Sequence, residues 1–159
     1  MSKYDWLLFL HVSGAFLFLG AAVVAWVFGI AAFRRKRPSE VALFLGLAQV
    51  AGIGFGIGTT LLLVFGIWLV VDVDQYSIGD GWIVAALILL GVSLVIGGLG
   101  GGREKRTRML AQRLAGEDDL PSAELNAAVR DPRTLLYNIA LTVFALAILF
   151  LMIFKPGAS

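Results

Sequence analysis

Four long apolar runs constrain this chain more than any other feature. They cover residues 6–33, 41–71, 82–101 and 134–154, and a helix of about 20 such residues crosses about 30 Å of hydrocarbon. None of the runs alternates polar and apolar residues as a barrel strand does. Because backbone groups in hydrocarbon are satisfied only within a helix or a closed barrel, the runs predict an all-α membrane protein, a four-transmembrane-helix bundle forming one domain over residues 1–159.

Composition agrees with lipid as the main partner of the chain. Hydrophobic residues make up 59% of it and charged residues 15%, against about 25% charged in a soluble domain. The absence of cysteine excludes a disulfide framework and a thiolate metal site. A formal charge of only +2 gives no support to a nucleic-acid partner.

The basic residues predict how the bundle is oriented. Eleven of the thirteen lie in the connection 34–37 or in the connection 102–133, and the other two are Lys3 and Lys155. Cytoplasmic loops carry the excess of lysine and arginine. We therefore expect both basic connections in the cytoplasm and both termini outside, in a multi-pass protein of a bacterial inner membrane. Aromatic residues expected near the outer boundary are Trp6, Trp68, Tyr76 and Trp82.

The connection 102–133 is predicted to be a helical, basic cytoplasmic loop. Its first part, Arg103–Ala115, is interpreted as a solvated charged helix that fixes topology, and the alternative is a helix that continues the third span or lies on anionic lipid. A second short helix is expected from Ser122 to Arg130.

Capping residues mark the predicted helix boundaries. Ser39 is the expected N-cap of the second helix and Asp80 that of the third. Asp131 is the expected cap of the fourth, with Pro132 at its first position.

Small residues recur along the first two spans at helical spacing. They are Gly14, Ala21, Ala25 and Gly29 in the first span, and Gly52, Gly54, Gly56 and Gly58 in the second. Small residues let helix backbones approach closely in lipid. We interpret them as helix-packing residues within the chain, with homodimerisation or a hinge as alternatives.

His11 is the only histidine and shares a helix face with Ala22 and Ala25, which predicts that it points into the bundle. An ionisable residue within a span is energetically costly, so its presence suggests a functional role. Three roles are open: a hydrogen bond to a neighbouring helix, a proton relay, or an axial ligand to haem or a metal. Met152 is the candidate second ligand of a haem. No bound cofactor is expected otherwise, and no metal site is predicted.

Other polar residues within the spans are few. Gln49, Thr59 and Asn138 are expected to be buried between helices, and Gln49 is expected to pair with Asn138. No acidic or basic residue lies within a span core, which argues against an ion-coupled transporter. No GxSxG motif and no P-loop is present, so the chain is predicted not to be an enzyme.

Three segments carry a resemblance to a known family: Leu7–Ala15, Tyr76–Ile83 and Phe154–Gly157. The chain resembles a bacterial family of small predicted integral membrane proteins of unknown function, which look distantly like the membrane domain of the copper-resistance D proteins. The resemblance implies a four-helix bundle and no established activity. Copper-resistance D proteins are associated with copper handling.

These observations favour a non-enzymatic structural or accessory subunit of a membrane assembly, either self-associating or joined to a larger complex. Two alternatives remain: a haem- or metal-binding membrane protein that uses His11, and a small conduit or transporter for an uncharged solute.

Overall fold

The computed structural model describes residues 2–72 and 76–157. Within these residues the chain forms the helices α1 (Lys3–Phe33), α2 (Pro38–Asp72), α3 (Gly81–Glu117), α4 (Ala123–Val129) and α5 (Pro132–Phe154). The helices α1, α2, α3 and α5 contain stretches long and apolar enough to cross a membrane. The predicted all-helical chain, with four helices that could span a membrane, is therefore confirmed.

The four long helices form two hairpins. In one, α1 packs along α2; in the other, α5 packs on α3. Contact between α2 and α3 joins the hairpins, and α1 meets α5 only marginally. Lys3 forms an ion pair with Asp72, and the Lys155 ammonium donates a 2.7 Å hydrogen bond to the Tyr76 hydroxyl. The start of α1, the end of α5 and the α2–α3 connection thus lie at one end of the bundle.

Two glycines bring the backbones of α1 and α2 together. A Cβ on Gly58 would lie 2.6 Å from the backbone nitrogen of Phe18, and a Cβ on Gly14 would lie 2.8 Å from the Cβ of Leu61. No other residue fits at this distance, so the helices cross where both carry glycine. The rings of Phe18 and Phe55 pack beside the crossing, with centroids 4.5 Å apart.

We call the opposite end of the bundle, with the connections 34–37 and 102–133, the basic end. Here α3 continues without a break to Glu117. Residues 103–115 therefore form a helix that continues the third apolar run. At 1.5 Å per residue the 37 residues of α3 measure about 55 Å, so α3 projects well beyond the hydrocarbon. A small apolar core fixes this projection against α1, α2 and α4: Ala32, Val41, Leu45, Ala111 and Leu125.

The start of α2 is capped from a distant segment. Ser39 is not its N-cap, contrary to the prediction, because α2 already begins at Pro38. The Asp119 carboxylate instead accepts hydrogen bonds from the Ser39 backbone amide at 2.8 Å and from its hydroxyl at 2.7 Å. The hydrogen bond from the Ser39 amide is the largest cause that lowers the pKa of Asp119 below its usual range, and the hydrogen bond from the Ser39 hydroxyl is the second. The charge of Arg37 lowers this pKa further by a smaller amount. A contact across the fold therefore replaces the local cap.

The two other predicted caps differ from each other. Asp131 accepts a 3.0 Å hydrogen bond from the Arg133 amide and is followed by Pro132, so it caps α5 as predicted. Asp80 is at the N-cap position of α3, but its side chain makes no capping bond. It accepts instead from the Ser77 amide at 3.1 Å, which closes the preceding turn.

Candidate functional site

His11 contacts α2 through a hydrogen bond to the backbone. Its Nδ1 lies 3.2 Å from the carbonyl oxygen of Leu62. A carbonyl oxygen only accepts, so Nδ1 is the donor in this hydrogen bond. Gly66 makes room for the ring, since a Cβ there would lie 2.9 Å from His11 Cε1. The contact is the bond to a neighbouring helix that the first of the three roles requires.

The two residues predicted as haem ligands lie on different helices, and their ligation of a haem stays a prediction. His11 of α1 is hydrogen-bonded to the α2 backbone. Met152 is half-buried on α5, which packs mainly on α3. Because Nδ1 is hydrogen-bonded to Leu62, Nε2 is the ring nitrogen of His11 that would bind a metal or haem iron. Among residues 2–72 and 76–157, no group of three or more potential metal-binding His, Asp or Glu side chains occurs.

The packing role predicted for the small residues holds on one side of α2 only. Gly58 meets the α1 backbone, and a Cβ on Gly54 would touch the Ala21 Cβ at 3.6 Å. Ala21 is buried and Ala25 is half-buried. These residues form the inner face of the first hairpin.

Three other glycines predicted to pack helices together have open space beside them, which corrects the prediction for them, and Gly52 lines the interhelical cavity described below. A Cβ on Gly29, Gly52 or Gly56 would meet no atom of another element within 4 Å. The reason is helix geometry: at 100° per residue, Gly52 and Gly56 lie on the side of α2 opposite to Gly54 and Gly58. Since α1 covers the latter side, the former remains exposed.

A cavity of about 260 Å³ lies between all four long helices. Small residues create it, among them Ala22, Ala25, Ala48, Ala51, Gly97 and Gly101. Their short side chains leave a space that larger residues would fill. The cavity is therefore a direct consequence of the alanine and glycine content of α1, α2 and α3.

Polar groups line one part of this cavity. The Trp26 indole N–H donates a 2.8 Å hydrogen bond to the Thr142 hydroxyl, which in turn donates to the Asn138 backbone oxygen at 2.9 Å. Glu104 lines the same cavity, beyond the apolar stretch of α3. Burial raises the pKa of Glu104, opposed by the nearby Arg108. The lining can hydrogen-bond a small, weakly polar molecule.

The predicted buried polar residues have separate fates. Thr59 is 3% exposed, but its hydroxyl bonds to the Phe55 carbonyl of its own helix at 2.8 Å and joins no second helix. Asn138 is half-buried and lines the cavity. Gln49 is exposed, so its predicted burial and its pairing with Asn138 are wrong. Successive residues of a helix point in directions 100° apart. Gln49 is therefore exposed although its neighbour Ala48 is buried.

Sequence reasoning missed several contacts that organise the site. The sequence indicates Thr142 as a polar residue within a span, but neither Gly66 nor the Trp26 partner of Thr142 is evident from it. A weak signal existed for Gly66, because a glycine within an apolar span has a packing or functional reason. No local signal pointed to the pairing of Trp26 with Thr142, whose side chains meet across 116 positions of sequence.

Comparison with known proteins gives a family match over almost the whole chain. The model of a family described as "Predicted integral membrane protein (DUF2269)" matches residues 5–156. No curated protein and no solved structure matches the chain. The resemblance to a family of predicted integral membrane proteins is thereby confirmed, and the likeness to copper-resistance D proteins stays a prediction.

Proposed function

Since the chain belongs to the DUF2269 family of predicted integral membrane proteins, we propose that it is a non-enzymatic structural or accessory subunit of a membrane assembly that self-associates through α2. One observation carries the proposal: the exposed side of α2 bears a polar and small-residue stripe. We call it the α2 stripe, formed by Gln49, Gly52, Gly56 and Thr60.

The stripe has the spacing of a helix-packing face. Its residues follow one another at intervals of three, four and four positions, which keeps them on one side of the helix. Gly52 and Gly56 form a GxxxG pair of the kind that lets two helices approach closely in lipid. The Thr60 hydroxyl turns back to the Gly56 carbonyl at 3.0 Å, so this part of the surface stays flat.

Gln49 provides a reason for association. It lies about 16 Å along α2 from Pro38, within the hydrocarbon region. Lipid tails offer its amide no hydrogen-bond partner, and an amide both donates and accepts. Two copies of the chain related by a two-fold axis would satisfy each other's Gln49 amides. Such a bond in a membrane contributes about 1 kcal/mol.

Self-association can be measured by energy transfer between labelled copies in liposomes at several protein-to-lipid ratios. We expect Gly56→Leu to weaken association at least tenfold, since the side chain would hold the helices apart, and Gln49→Leu to weaken it about fivefold. The matched control is Gly20→Leu, on α1, where a Cβ also meets nothing within 4 Å. A monomer at every ratio, or equal losses in Gly56→Leu and Gly20→Leu, would contradict the proposal.

The proposed orientation places the basic end in the cytoplasm of a bacterial cell and both termini outside. The supporting observation is that eleven of the thirteen basic residues belong to the connections at that end. Alkaline phosphatase fused after Ser159 should be active in the periplasm, and green fluorescent protein at the same position should be dark. The reverse pattern would overturn the orientation without affecting self-association.

The proposed subunit works without a bound cofactor. The absence of a cofactor is tested by measuring the visible absorbance and the metal content of protein purified in mild detergent. We expect no Soret band and no bound metal. A Soret band that disappears in His11→Ala would instead assign the Nε2 lone pair of His11 to haem iron.

The interhelical cavity favours a second candidate function, a small conduit or binding protein for an uncharged solute. Its polar lining at Trp26, Asn138 and Thr142 supports this candidate. Flux of a panel of small neutral solutes into liposomes should then exceed that of empty liposomes and fall in Ala25→Leu, which fills the cavity. Equal flux with and without protein would remove the candidate.

A further inference from the structure

We propose that a cleft at the basic end binds a phosphate group, carried either by an anionic phospholipid or by a soluble phosphorylated compound. The cleft has a volume of about 360 Å³, within the range of small-ligand sites, about 300–1,000 Å³. It lies between the α1–α2 connection, the start of α2 and the short helix α4. We call it the basic cleft and identify it by Arg35, Lys36, Ser122, Asn126 and Arg130.

The basic cleft contains three cations and no carboxylate among its lining residues. Arg130 is positioned by the ring of Phe33, with its guanidinium carbon 4.6 Å from the ring centroid. Arg35 approaches Glu40 at 3.8 Å, which is longer than a charge-assisted hydrogen bond. Within residues 2–72 and 76–157, Lys36 forms no ion pair. The positive charge of the cleft is thus only slightly balanced by the protein itself.

Two acidic residues near the cleft are engaged elsewhere. Asp119 accepts both hydrogen bonds from Ser39 at the start of α2. Asp131 pairs with Arg103 at 3.0 Å, and Glu124, which does not line the cleft, lies 3.8 Å from Arg113. An anion from outside the chain is therefore the missing counter-charge.

The remaining lining residues suit an esterified phosphate. Ser122 is at the N-cap position of α4, yet its hydroxyl makes no capping bond and remains available as a donor. Asn126 adds an amide. Beneath these groups the floor is apolar, formed in part by Val41, which is 1% exposed, and Leu125, which is 2% exposed. Cations and neutral donors above an apolar floor match a phosphate attached to a hydrocarbon-bearing group.

The position of the cleft favours encounter with lipid headgroups. α1 ends at Phe33 and α2 begins at Pro38, so the cleft lies where two spans leave the hydrocarbon. Basic pockets between membrane helices at this depth bind anionic headgroups. The inference goes beyond the proposed function and does not depend on it, because the α2 stripe takes no part in the cleft.

The test is binding to the full chain purified in a neutral detergent, measured by isothermal titration calorimetry. The probes are dioctanoyl phosphatidylglycerol, dioctanoyl phosphatidylcholine and inorganic phosphate. We expect saturable binding of phosphatidylglycerol. The double variant Lys36→Gln/Arg130→Gln should lower its affinity at least about tenfold, since each cation near a membrane surface contributes several-fold.

The control is Lys105→Gln/Arg106→Gln, which removes the same charge from exposed positions of α3 outside the cleft. Its affinity should stay within about twofold of that of the unaltered chain, because neither residue lines the cleft. Net charge falls equally in both double variants, so a difference in affinity between them reports on the cleft and not on net charge. Should the cleft variant fail to fold, Lys36→Gln alone carries the test with a loss of about fivefold.

The outcomes separate the sources of the phosphate. Binding of phosphatidylglycerol without binding of inorganic phosphate assigns the cleft to a lipid. Binding of inorganic phosphate that competes with the lipid assigns it to the phosphate group itself, from either source. Binding of neither probe, binding of phosphatidylcholine as tight as that of phosphatidylglycerol, or equal losses in the two double variants would overturn the proposal.

Discussion

The glycine crossing of α1 and α2 makes a quantitative prediction about stability. Gly58→Ala adds one methyl group at the point of closest approach. The new Cβ would lie 2.6 Å from the Phe18 nitrogen and 2.9 Å from the Gly14 carbonyl oxygen, whereas ordinary contacts measure 3.4–4 Å. Backbone atoms cannot rotate away as the end of a side chain can, so the two helices must separate by about 1 Å.

The cost follows from the contacts that such a separation weakens. A gap of about 0.5–1 Å removes a quarter to a half of each dispersion contact, and inserting a methyl group into a packed interior costs about 1–3 kcal/mol. The intrinsic gain of alanine over glycine in a helix, about 0.5–1 kcal/mol, offsets part of this. We expect a net destabilisation of ~1 kcal/mol, equivalent to a fall in Tm of about 2–4 °C.

The assay is thermal unfolding in detergent, followed by far-ultraviolet circular dichroism. Gly46→Ala is the matched control, because it makes the same change on the same helix where a Cβ meets nothing within 4 Å. Its Tm should be unchanged or slightly raised. If Gly58→Ala and Gly46→Ala unfold at the same temperature, the two backbones are not in contact and the reasoning fails.

Three further perturbations probe contacts across the fold. Thr142→Val should cost about 0.6–1.7 kcal/mol, and Trp26→Phe should add little to it in the double variant; additive losses in unfolding free energy would argue against the 2.8 Å bond. Gly66→Ala should lower Tm because a Cβ would lie 2.9 Å from the ring of His11, and His11→Ala should abolish that cost; an equal loss in both backgrounds would place the ring elsewhere. The pKa of Asp119 is lowered by hydrogen bonds, so its stabilisation is present above the unfolded-state pKa and is lost as pH falls through the folded-state pKa. Asp119→Asn should therefore flatten the acid limb of Tm against pH, and an unchanged limb would refute the link.

The α2 glycines show how far sequence reasoning reached into the candidate site. Four glycines at every second position predict close helix packing, and Gly54 and Gly58 provide it. The same pattern marks two opposite sides of the helix, and nothing local says which side α1 occupies. Gln49 was predicted to be buried only because it is a polar residue within a span, and nothing local shows that it lies on the exposed side. The spans are apolar all round, so no apolar stripe distinguishes a buried face from a lipid-facing one.

The amino-acid sequence alone determined that this chain has four helices able to span a membrane, which segments form them and that a helical basic connection joins the third and fourth. Each of these properties depends on the composition of one continuous segment and its transfer into lipid. Tertiary structure decided that Asp119 caps α2, that His11 bonds to Leu62 and that the basic cleft exists. Those features join residues far apart in the chain, and only packing of the helices brings them within hydrogen-bonding distance.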